Sequence, residues 1–407
     1  VVRKAELLRG GCTEEEANFL NGRSLMTLAS GISHGYGCVL FPEGTSHNNA
    51  YMLRFRTGPM RTVLAASALA KASNKELPVL IPMGLHFRTR EYFRTDVWVE
   101  YGTPIQVESD DVPQNLVDAV SSGTWSEPPA ESVFKLRDKL RTDLVPLSPN
   151  ANSWEEYRGL MLLGHVKGRM EGKKPTTWRQ EVEMARELRD TYASKSKSLD
   201  VDNLQPEKII NPIVDKSSRA AEILHKNGLD GRDLNHSSNK LASPRIAKLP
   251  LGIVRATLFA LLLPVFLISL LPQVVLGRLL GDSTDEGIDA RTSYQFLAAM
   301  FGSIIVWPIS SGVLVAMLYW QTGTLTEITG YDWTHAFGGT SASLFAALFA
   351  MWLLMFPISY FTGHLFSIVW DDYVDFRGYL RKLKLPKIDQ QELFNLIEEI
   401  KQDLQSD

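Results

Sequence analysis

Hydrophobic and polar positions divide the chain into a mixed first part and a strongly apolar last third. Three apolar stretches cover residues 253–277, 295–319 and 337–361. Each is about 25 residues long, and at roughly 1.5 Å per residue each helix can cross the roughly 30 Å hydrocarbon core of a bilayer. The pattern predicts an α-helical membrane region over residues 248–376, followed by a basic segment and an amphipathic helix over residues 377–407.

In the first part, short apolar runs alternate with helical patterns. Residues 38–41 form an apolar run that stops at a Pro-Glu-Gly turn, which predicts a short buried strand. Residues 62–73 are rich in Ala and Leu and predict a buried helix, while residues 79–85 and 97–101 predict strands. The alternation predicts an α/β domain over residues 1–107, with a sheet wrapped by helices.

The region 108–247 predicts a polar helical extension that ends in a linker. Residues 131–144 place apolar side chains at helical spacing between charges, which is typical of an amphipathic helix. Residues 153–170 and 178–199 continue in the same style, and residues 235–240 predict the linker. Ordinary scaffolding is the favoured interpretation of these helices.

The Pro-Glu-Gly turn after the apolar run offers a polar side chain in a constrained setting. Pro42 fixes its own φ, while Gly44 is free to adopt a positive φ and lets a ligand approach the backbone closely. Such a turn can hold the carboxylate of Glu43 against a substrate. The alternative interpretation from these residues alone is a capped turn with a solvated Glu43.

Charge and cysteine content exclude several classes of site. The formal net charge is −3, and no dense basic run is present, so the sequence predicts no binding of nucleic acid. The two cysteines, Cys12 and Cys38, provide neither a zinc pattern nor a disulfide framework. We interpret Cys38 as a small buried residue on the predicted strand.

Four segments together resemble one known family. The string LFPEGTSH at 40–47 resembles the third sequence block of the glycerophospholipid acyltransferases (PlsC-like), and more closely the glycerol-3-phosphate acyltransferase branch of fungal type. LRFRTG at 53–58 resembles the family's next helix start, and LPVLIPMG at 77–84 resembles its fourth block. VEYGTPI at 99–105 resembles the closing strand and turn.

The resemblance implies a membrane-bound O-acyltransferase. It would transfer a fatty acyl group from acyl-CoA or acyl-ACP to the sn-1 hydroxyl of glycerol 3-phosphate, giving lysophosphatidic acid in phospholipid biosynthesis. No metal or organic cofactor is implied beyond the acyl thioester. The residues implied in substrate binding are Arg3, Glu43, Gly44, Thr45, His47, Arg56 and Pro82. Lysophosphatidic acid or dihydroxyacetone phosphate as acceptor, or a non-catalytic lipid-binding scaffold, are the alternatives.

The catalytic dyad of that family is not found in this chain. In the family, a His-x4-Asp block before the turn supplies the general base that deprotonates the acceptor hydroxyl. The first histidine here is His34, so we expect an N-terminally truncated sequence whose dyad lies upstream of Val1. His225 and Asp230 have the dyad spacing but follow the turn; Gly228 predicts a helix end there, with a solvated His225.

Basic residues predict how the apolar stretches cross the membrane. Lys and Arg flank the first stretch and follow the third, whereas residues 320–335 contain neither. The positive-inside rule places residues 320–335 on the non-cytoplasmic side and the acyltransferase part on the cytoplasmic side, at the plasma membrane of a prokaryote or the endoplasmic reticulum of a eukaryote. We expect 295–319 and 337–361 to span as a hairpin. The first stretch, interrupted by Pro264 and Pro272, would dip in and return or lie in the interface.

The C-terminal residues predict a capped amphipathic helix. Asp389 is the expected N-cap, Glu392 reaches back to it, and Ile388 forms a hydrophobic staple with Leu393. One apolar face then contains Leu393, Phe394, Ile397, Ile400 and Leu404. We expect this face to pack within the chain; a partner protein, a second copy in a homo-oligomer or the membrane surface are the alternatives.

Overall fold

The computed structural model describes residues 4–45, 47–89, 94–123, 125–193, 204–243, 249–283, 288–330 and 341–406. The protein is mostly helical with small sheets. Before the apolar third, the helices are α1 (Lys4–Arg9), α2 (Glu14–Ser33), α3 (Gly58–Ala72), α4 (Gln114–Ser121), α5 (Ala130–Leu144), α6 (Trp154–Met170), α7 (Trp178–Tyr192) and α8 (Pro212–Lys226). Arg3, the first of the predicted site residues, lies outside the described residues.

Several helices begin at a side chain that caps them. Thr13 caps α2 in a capping box, because its side chain accepts from the Glu16 N–H and the Glu16 carboxylate accepts from the Thr13 N–H. Ser153 caps α6 and Thr177 caps α7, because each side-chain oxygen accepts a backbone N–H in the first turn of its helix. Helix α5 buries Val133, Leu136, Leu140 and Leu144, which confirms most of its predicted apolar face. Phe134, which belongs to the same predicted set, is 46% exposed.

The strands form two separate antiparallel pairs. Strand β1 (Val79–Leu80) pairs with β4 (Ile105–Gln106), and β2 (Met83–Phe87) pairs with β3 (Val97–Tyr101). The predicted strand at 97–101 is confirmed. The predicted strand at 79–85 is divided between β1 and β2, because Pro82 lacks the N–H that a continuous ladder would need.

The predicted strand at residues 38–41 is wrong. These residues are irregular, and the side chains of Val39 and Phe41 are 64% and 68% exposed instead of buried. A strand is stable only when its backbone groups are paired, and within the described ranges this run pairs with no other strand. Cys38 is likewise exposed. The structure therefore does not confirm the predicted α/β domain with a sheet wrapped by helices.

The chain divides into two compact units. The first unit contains Val1–Arg88, Asp96–Lys240 and Pro386–Asp407, and the second contains Thr89–Thr95 and Leu241–Leu385. In the first unit, α3, α4 and α5 bury one cluster that includes Met60, Leu64, Val112, Leu116 and Leu140. The domain boundaries at residues 107 and 247 stay predictions.

The expected linker at residues 235–240 is a closed turn. The Asn235 N–H donates to the Lys240 carbonyl at 2.8 Å, and the Asn235 side-chain oxygen accepts from the Asn239 N–H at 3.1 Å. Ser238, at φ of 58°, is fully buried. The interpretation of His225 is confirmed, since α8 ends at Lys226, Gly228 has a φ of 65° and His225 is exposed.

The C-terminal helix, α15 (Lys387–Ser406), belongs to the first unit and packs on α8 and α6. Leu393, Leu396, Ile397 and Ile400 are buried, so the prediction that the apolar face packs within the chain is confirmed. The predicted cap is wrong: the helix begins at Lys387, two residues before Asp389. The staple is also wrong, because Ile388 is 79% exposed.

The packing of α15 leads to a prediction about stability. Ile397→Val is expected to lower the free energy of unfolding of the first unit by about 1 kcal/mol, because it deletes a methyl group from a fully buried side chain. The matched control is Ile388→Val, the same deletion at an exposed position of the same helix. Thermal unfolding of both variants measures the difference; equal melting temperatures would contradict the docking of α15.

The helices of the second unit are long and apolar. They are α9 (Leu249–Leu261), α10 (Leu263–Val265), α11 (Leu271–Asp282), α12 (Ile288–Trp320), α13 (Thr322–Thr329) and α14 (Ser341–Lys384), with a π-helical turn at Phe266–Leu270 between α10 and α11. Among the described residues, Leu263–Asp282, Ser293–Thr329 and Ala342–Lys384 are long and apolar enough to cross a membrane. These helices indicate a membrane protein.

Candidate functional site

The Pro-Glu-Gly turn is closed by backbone hydrogen bonds. The Gly44 N–H donates to the Phe41 carbonyl at 3.2 Å, and the Arg56 N–H donates to the Pro42 carbonyl at 2.6 Å. Gly44 has a φ of 67°, and a Cβ there would lie 3.1 Å from Cγ of Arg56. Gly44 thus adopts the positive φ for which glycine is free, and both the conformation and the space favour glycine.

The carboxylate of Glu43 organises the loop that follows the turn. Its Oε1 accepts the Leu53 N–H at 2.6 Å and lies 2.7 Å from Nε2 of His47. The Glu43 side chain is 18% exposed and that of His47 is 19% exposed. The interpretation of Glu43 as a solvated side chain is therefore wrong, because this carboxylate joins two separate positions of the loop, His47 and Leu53.

Both ring nitrogens of His47 are engaged inside the loop. Nδ1 accepts the Asn49 N–H at 3.1 Å, which places the ring proton on Nε2 and directs it to the carboxylate of Glu43. The backbone amide of Asn49 thus selects one tautomer of the imidazole. In this arrangement His47 positions Glu43, and neither ring nitrogen is directed to a ligand.

The loop is attached to the start of α6. The carbonyl of Asn48 accepts the indole N–H of Trp154 at 2.7 Å, and the carbonyl of Ala50 accepts the Ala151 N–H at 3.1 Å. Phe55, at the end of the loop, is buried in the cluster beneath α3. These attachments hold the loop against a rigid helix, as a precise binding site requires.

The structure brings together some of the predicted site residues. Glu43, Gly44, His47 and Arg56 share the turn and its loop, and Thr45 is exposed beside them. The side chain of Arg56 is exposed next to Gly44. Pro82 is buried between β1 and β2, where its carbonyl accepts the Gly102 N–H at 2.8 Å. Pro82 therefore has a structural role in the sheets that its sequence position alone did not reveal.

A second polar cluster in the first unit was not expected from the sequence. Glu181 of α7 binds Arg88 through two hydrogen bonds of 2.8 and 2.6 Å and lies 3.1 Å from Nε2 of His165. Nδ1 of His165 lies 3.0 Å from a guanidinium nitrogen of Arg169, which can only donate. Burial alone would raise the pKa of Glu181, but the hydrogen bonds from Arg88 and His165 lower it below its ordinary value. Within the part of the chain that is described, no group of three or more His, Cys, Asp or Glu side chains could hold a metal ion.

A third cluster lies on the β2–β3 pair. His86 is buried, stacks on Trp98 at 4.8 Å and lies 3.0 Å from the carboxylate of Glu100, which also binds Arg186 at 2.8 and 2.5 Å. Burial lowers the pKa of His86 below its ordinary value of 6.5, and the hydrogen bond to Glu100 opposes this only in part. The neutral imidazole is therefore the form that stabilises the fold.

Acidification is expected to lower the melting temperature from about pH 6.5 downward, because the unfolded chain binds the His86 proton more tightly than the folded chain. The stabilising contribution is complete above this pH and is lost as the pH falls. Thermal unfolding between pH 7.5 and 5.5 measures it. His86→Phe should make the dependence shallower, whereas His236→Phe at an exposed position should leave it unchanged. Equal slopes in all three proteins would contradict the assignment.

Comparison with known proteins gives one informative similarity. Over 159 residues, the chain is 30% identical to glycerol-3-phosphate O-acyltransferase 2 of Saccharomyces cerevisiae. The similarity supports the acyltransferase family. The aligned part covers 39% of this chain and 19% of the yeast protein, so it spans about a fifth of that relative. No family model matches the chain, and no solved structure matches it.

Proposed function

We propose that this chain is part of a membrane-bound acyltransferase that transfers a fatty acyl group from acyl-CoA or acyl-ACP to the sn-1 hydroxyl of glycerol 3-phosphate. The product would be lysophosphatidic acid, which partitions into the adjoining bilayer. The observation that carries the proposal is the loop in which Glu43 joins His47 and the Leu53 backbone. The yeast relative supports the acyltransferase class.

The loop suggests distinct roles for its residues. We infer that Glu43 shapes the acceptor site indirectly, because its Oε1 accepts two loop donors. His47 is a positioning residue, since both its ring nitrogens are engaged within the loop. Arg56, an exposed residue whose Cγ lies beside Gly44, is the candidate ligand of the phosphate, and Arg3 stays a second candidate. Thr45 and Gly44 would border the same acceptor.

The chemistry would follow a direct transfer. A general base removes the proton of the acceptor hydroxyl, the oxygen attacks the thioester carbonyl, and the tetrahedral intermediate collapses to release the thiol, which takes up the proton. In the family that this sequence resembles, the base is the His of a His-x4-Asp block. The residues described in this structure would supply the acceptor site and its attachment to the membrane.

The acceptor identity can be tested with the complete gene product that contains this chain. Membranes from expressing cells are incubated with an acyl-CoA and, separately, with glycerol 3-phosphate, dihydroxyacetone phosphate or lysophosphatidic acid, and release of free CoA is followed. We expect the highest kcat/KM with glycerol 3-phosphate. A preference for either of the other acceptors would overturn the substrate assignment, and absence of turnover with all three would favour a lipid-binding scaffold.

A further inference from the structure

Helix α9 exposes apolar side chains throughout its length. Leu249, Leu251, Ile253, Val254, Leu258 and Leu261 are between 41% and 74% exposed, and no residue of α9 is buried. The helix has 13 residues and is therefore about 20 Å long, shorter than the roughly 30 Å hydrocarbon core. Its charged residue, Arg255, pairs with Asp372 near the end of the apolar part of α14, at 3.2 Å.

The helix is interrupted after α9, and aromatic rings on either side of the interruption approach each other. The rings of Phe259 and Phe266 lie 5.3 Å apart, and both lie against Phe366 of α14, at 5.6 and 4.8 Å. Residues seven apart in a continuous α-helix are separated by about 10.5 Å along its axis, about twice the distance between these two rings. The interruption coincides with Leu262, whose ψ of 5° is not helical, and with Pro264, which removes a backbone hydrogen bond.

Helices α12 and α14 run antiparallel and define the two ends of the second unit. Trp307 lies against Phe356, and the indole N–H of Trp352 donates to the Pro308 carbonyl at 2.9 Å. Further along α12, Leu314 and Val315 share a buried cluster with Met355, against which Leu348, Met351, Trp352 and Ile358 of α14 also pack. Residues later in α12 therefore contact residues earlier in α14. The first residues of α12 lie at the same end of the second unit as the last residues of α14.

Helix α11 returns toward that same end. Gln273 lies beside Gly302, and a Cβ on Gly277 would contact Gln295 and Ala298, closer to the start of α12. Earlier in the chain, the hydroxyl of Ser269 in the π-helical turn accepts a hydrogen bond of 3.1 Å from the hydroxyl of Ser359, in the middle of α14. Arg255 and Gly277 thus lie toward the same end of the second unit. Ser269, between them in the chain, lies further from that end.

The position of the first unit in the chain independently supports the return of α11 to the end at which α9 begins. Lys240 and Pro386, which flank the second unit in the chain, both belong to the first unit, and α15 is part of its buried core. A folded unit of this kind lies on one side of a bilayer, so the chain between these residues makes an even number of crossings. The described residues contain three candidate spans, and three complete crossings would be an odd number.

We propose that residues 249–282 form a re-entrant hairpin that enters one leaflet and returns to the side of the first unit. The exposed apolar face of α9 is seated in the acyl chains of that leaflet, while Arg255 and Asp372 remain at its polar boundary. Helices α12 and α14 then make the two crossings. Backbone groups freed at Pro264 are tolerated because α12 and α14 pack against the turn. The proposal does not depend on the acyltransferase function.

Single-cysteine labelling of the full chain tests the hairpin. In a background where Cys12 and Cys38 are replaced by Ser, we introduce Ser243→Cys, Ser283→Cys or Thr329→Cys, each at an exposed position. Sealed vesicles are treated with a membrane-impermeant maleimide before and after permeabilisation, and each signal is normalised to labelling in SDS. Positions 243 and 283 should show the same sidedness, and position 329 the opposite one.

Two results would overturn the hairpin. Labelling of position 283 from the same side as 329 would mean a complete crossing, and protection of 283 from both sides would mean that the chain does not return to the surface. A second measurement is the immersion depth of a spin label at Leu261→Cys. The hairpin predicts a depth of no more than about 15 Å, half of the hydrocarbon core; a position at the opposite boundary would contradict it.

Discussion

Replacement of Glu43 by alanine is expected to lower kcat/KM for glycerol 3-phosphate by about 100-fold or more, since small displacements of a binding site have effects of this size. The substitution removes the oxygen that accepts the Leu53 N–H and faces Nε2 of His47. Each donor left without a partner in a partly buried position costs about 1–3 kcal/mol. The loop would then lose the geometry that presents Arg56 beside Gly44.

Two further variants of the complete gene product make this prediction specific. Glu43→Gln keeps a side-chain oxygen that can accept one of the two donors, so it should retain more activity than the alanine variant. Glu131→Ala, at an exposed position of α5, is the control for loss of a carboxylate and should be as active as the wild type. Equal activity of the Glu43→Ala and wild-type enzymes would show that the loop has no part in catalysis.

Replacement of Glu181 by alanine is expected to have the largest effect on stability. Glu181 is buried, and its carboxylate is the partner of Arg88 and lies within hydrogen-bond distance of His165. Removal of one partner of a buried ion pair typically costs about 3–5 kcal/mol. Arg88 keeps Asp96 as a second carboxylate partner at 2.8 Å, so we expect the lower end of this range, about 3 kcal/mol. We therefore expect a large fall in the melting temperature of the first unit, measured by thermal unfolding in detergent.

The matched control lies two residues further along the same helix. Glu183 pairs with Arg179 at 2.7 Å, but both side chains are largely exposed, and such surface pairs contribute about 0–1 kcal/mol. Glu183→Ala should therefore unfold close to the wild-type temperature. Equal losses in the two variants would mean that the cluster around Glu181 contributes no more than an exposed ion pair.

Features that depend on neighbouring residues could be predicted from the sequence. The capping box of α2, the apolar face of α5 and the positive φ at Gly44 are each encoded within a few positions of the chain. The long apolar helices were predictable for the same reason, because length and composition decide whether a helix suits a bilayer. For these features the local pattern and the structure agree.

Features that depend on distant partners could not be predicted. The apolar run at residues 38–41 has the composition of a strand, but composition does not show whether a neighbouring strand is present to pair with it. Arg88 and Glu181 are 93 positions apart, and no local pattern connects them. The role of His47 also required coordinates, since its hydrogen bond with the Asn49 backbone determines which ring nitrogen faces Glu43.

The most direct test of the proposed function is the chemical identity of the product. Membranes containing the complete gene product are supplied with radiolabelled glycerol 3-phosphate and an acyl-CoA, and the lipid extract is separated and its acyl position determined. The proposal predicts radiolabelled lysophosphatidic acid acylated at sn-1, formed only with the thioester present and strongly reduced in the Glu43→Ala variant. Binding of the acyl-CoA without any labelled lipid, or acylation at sn-2, would contradict it.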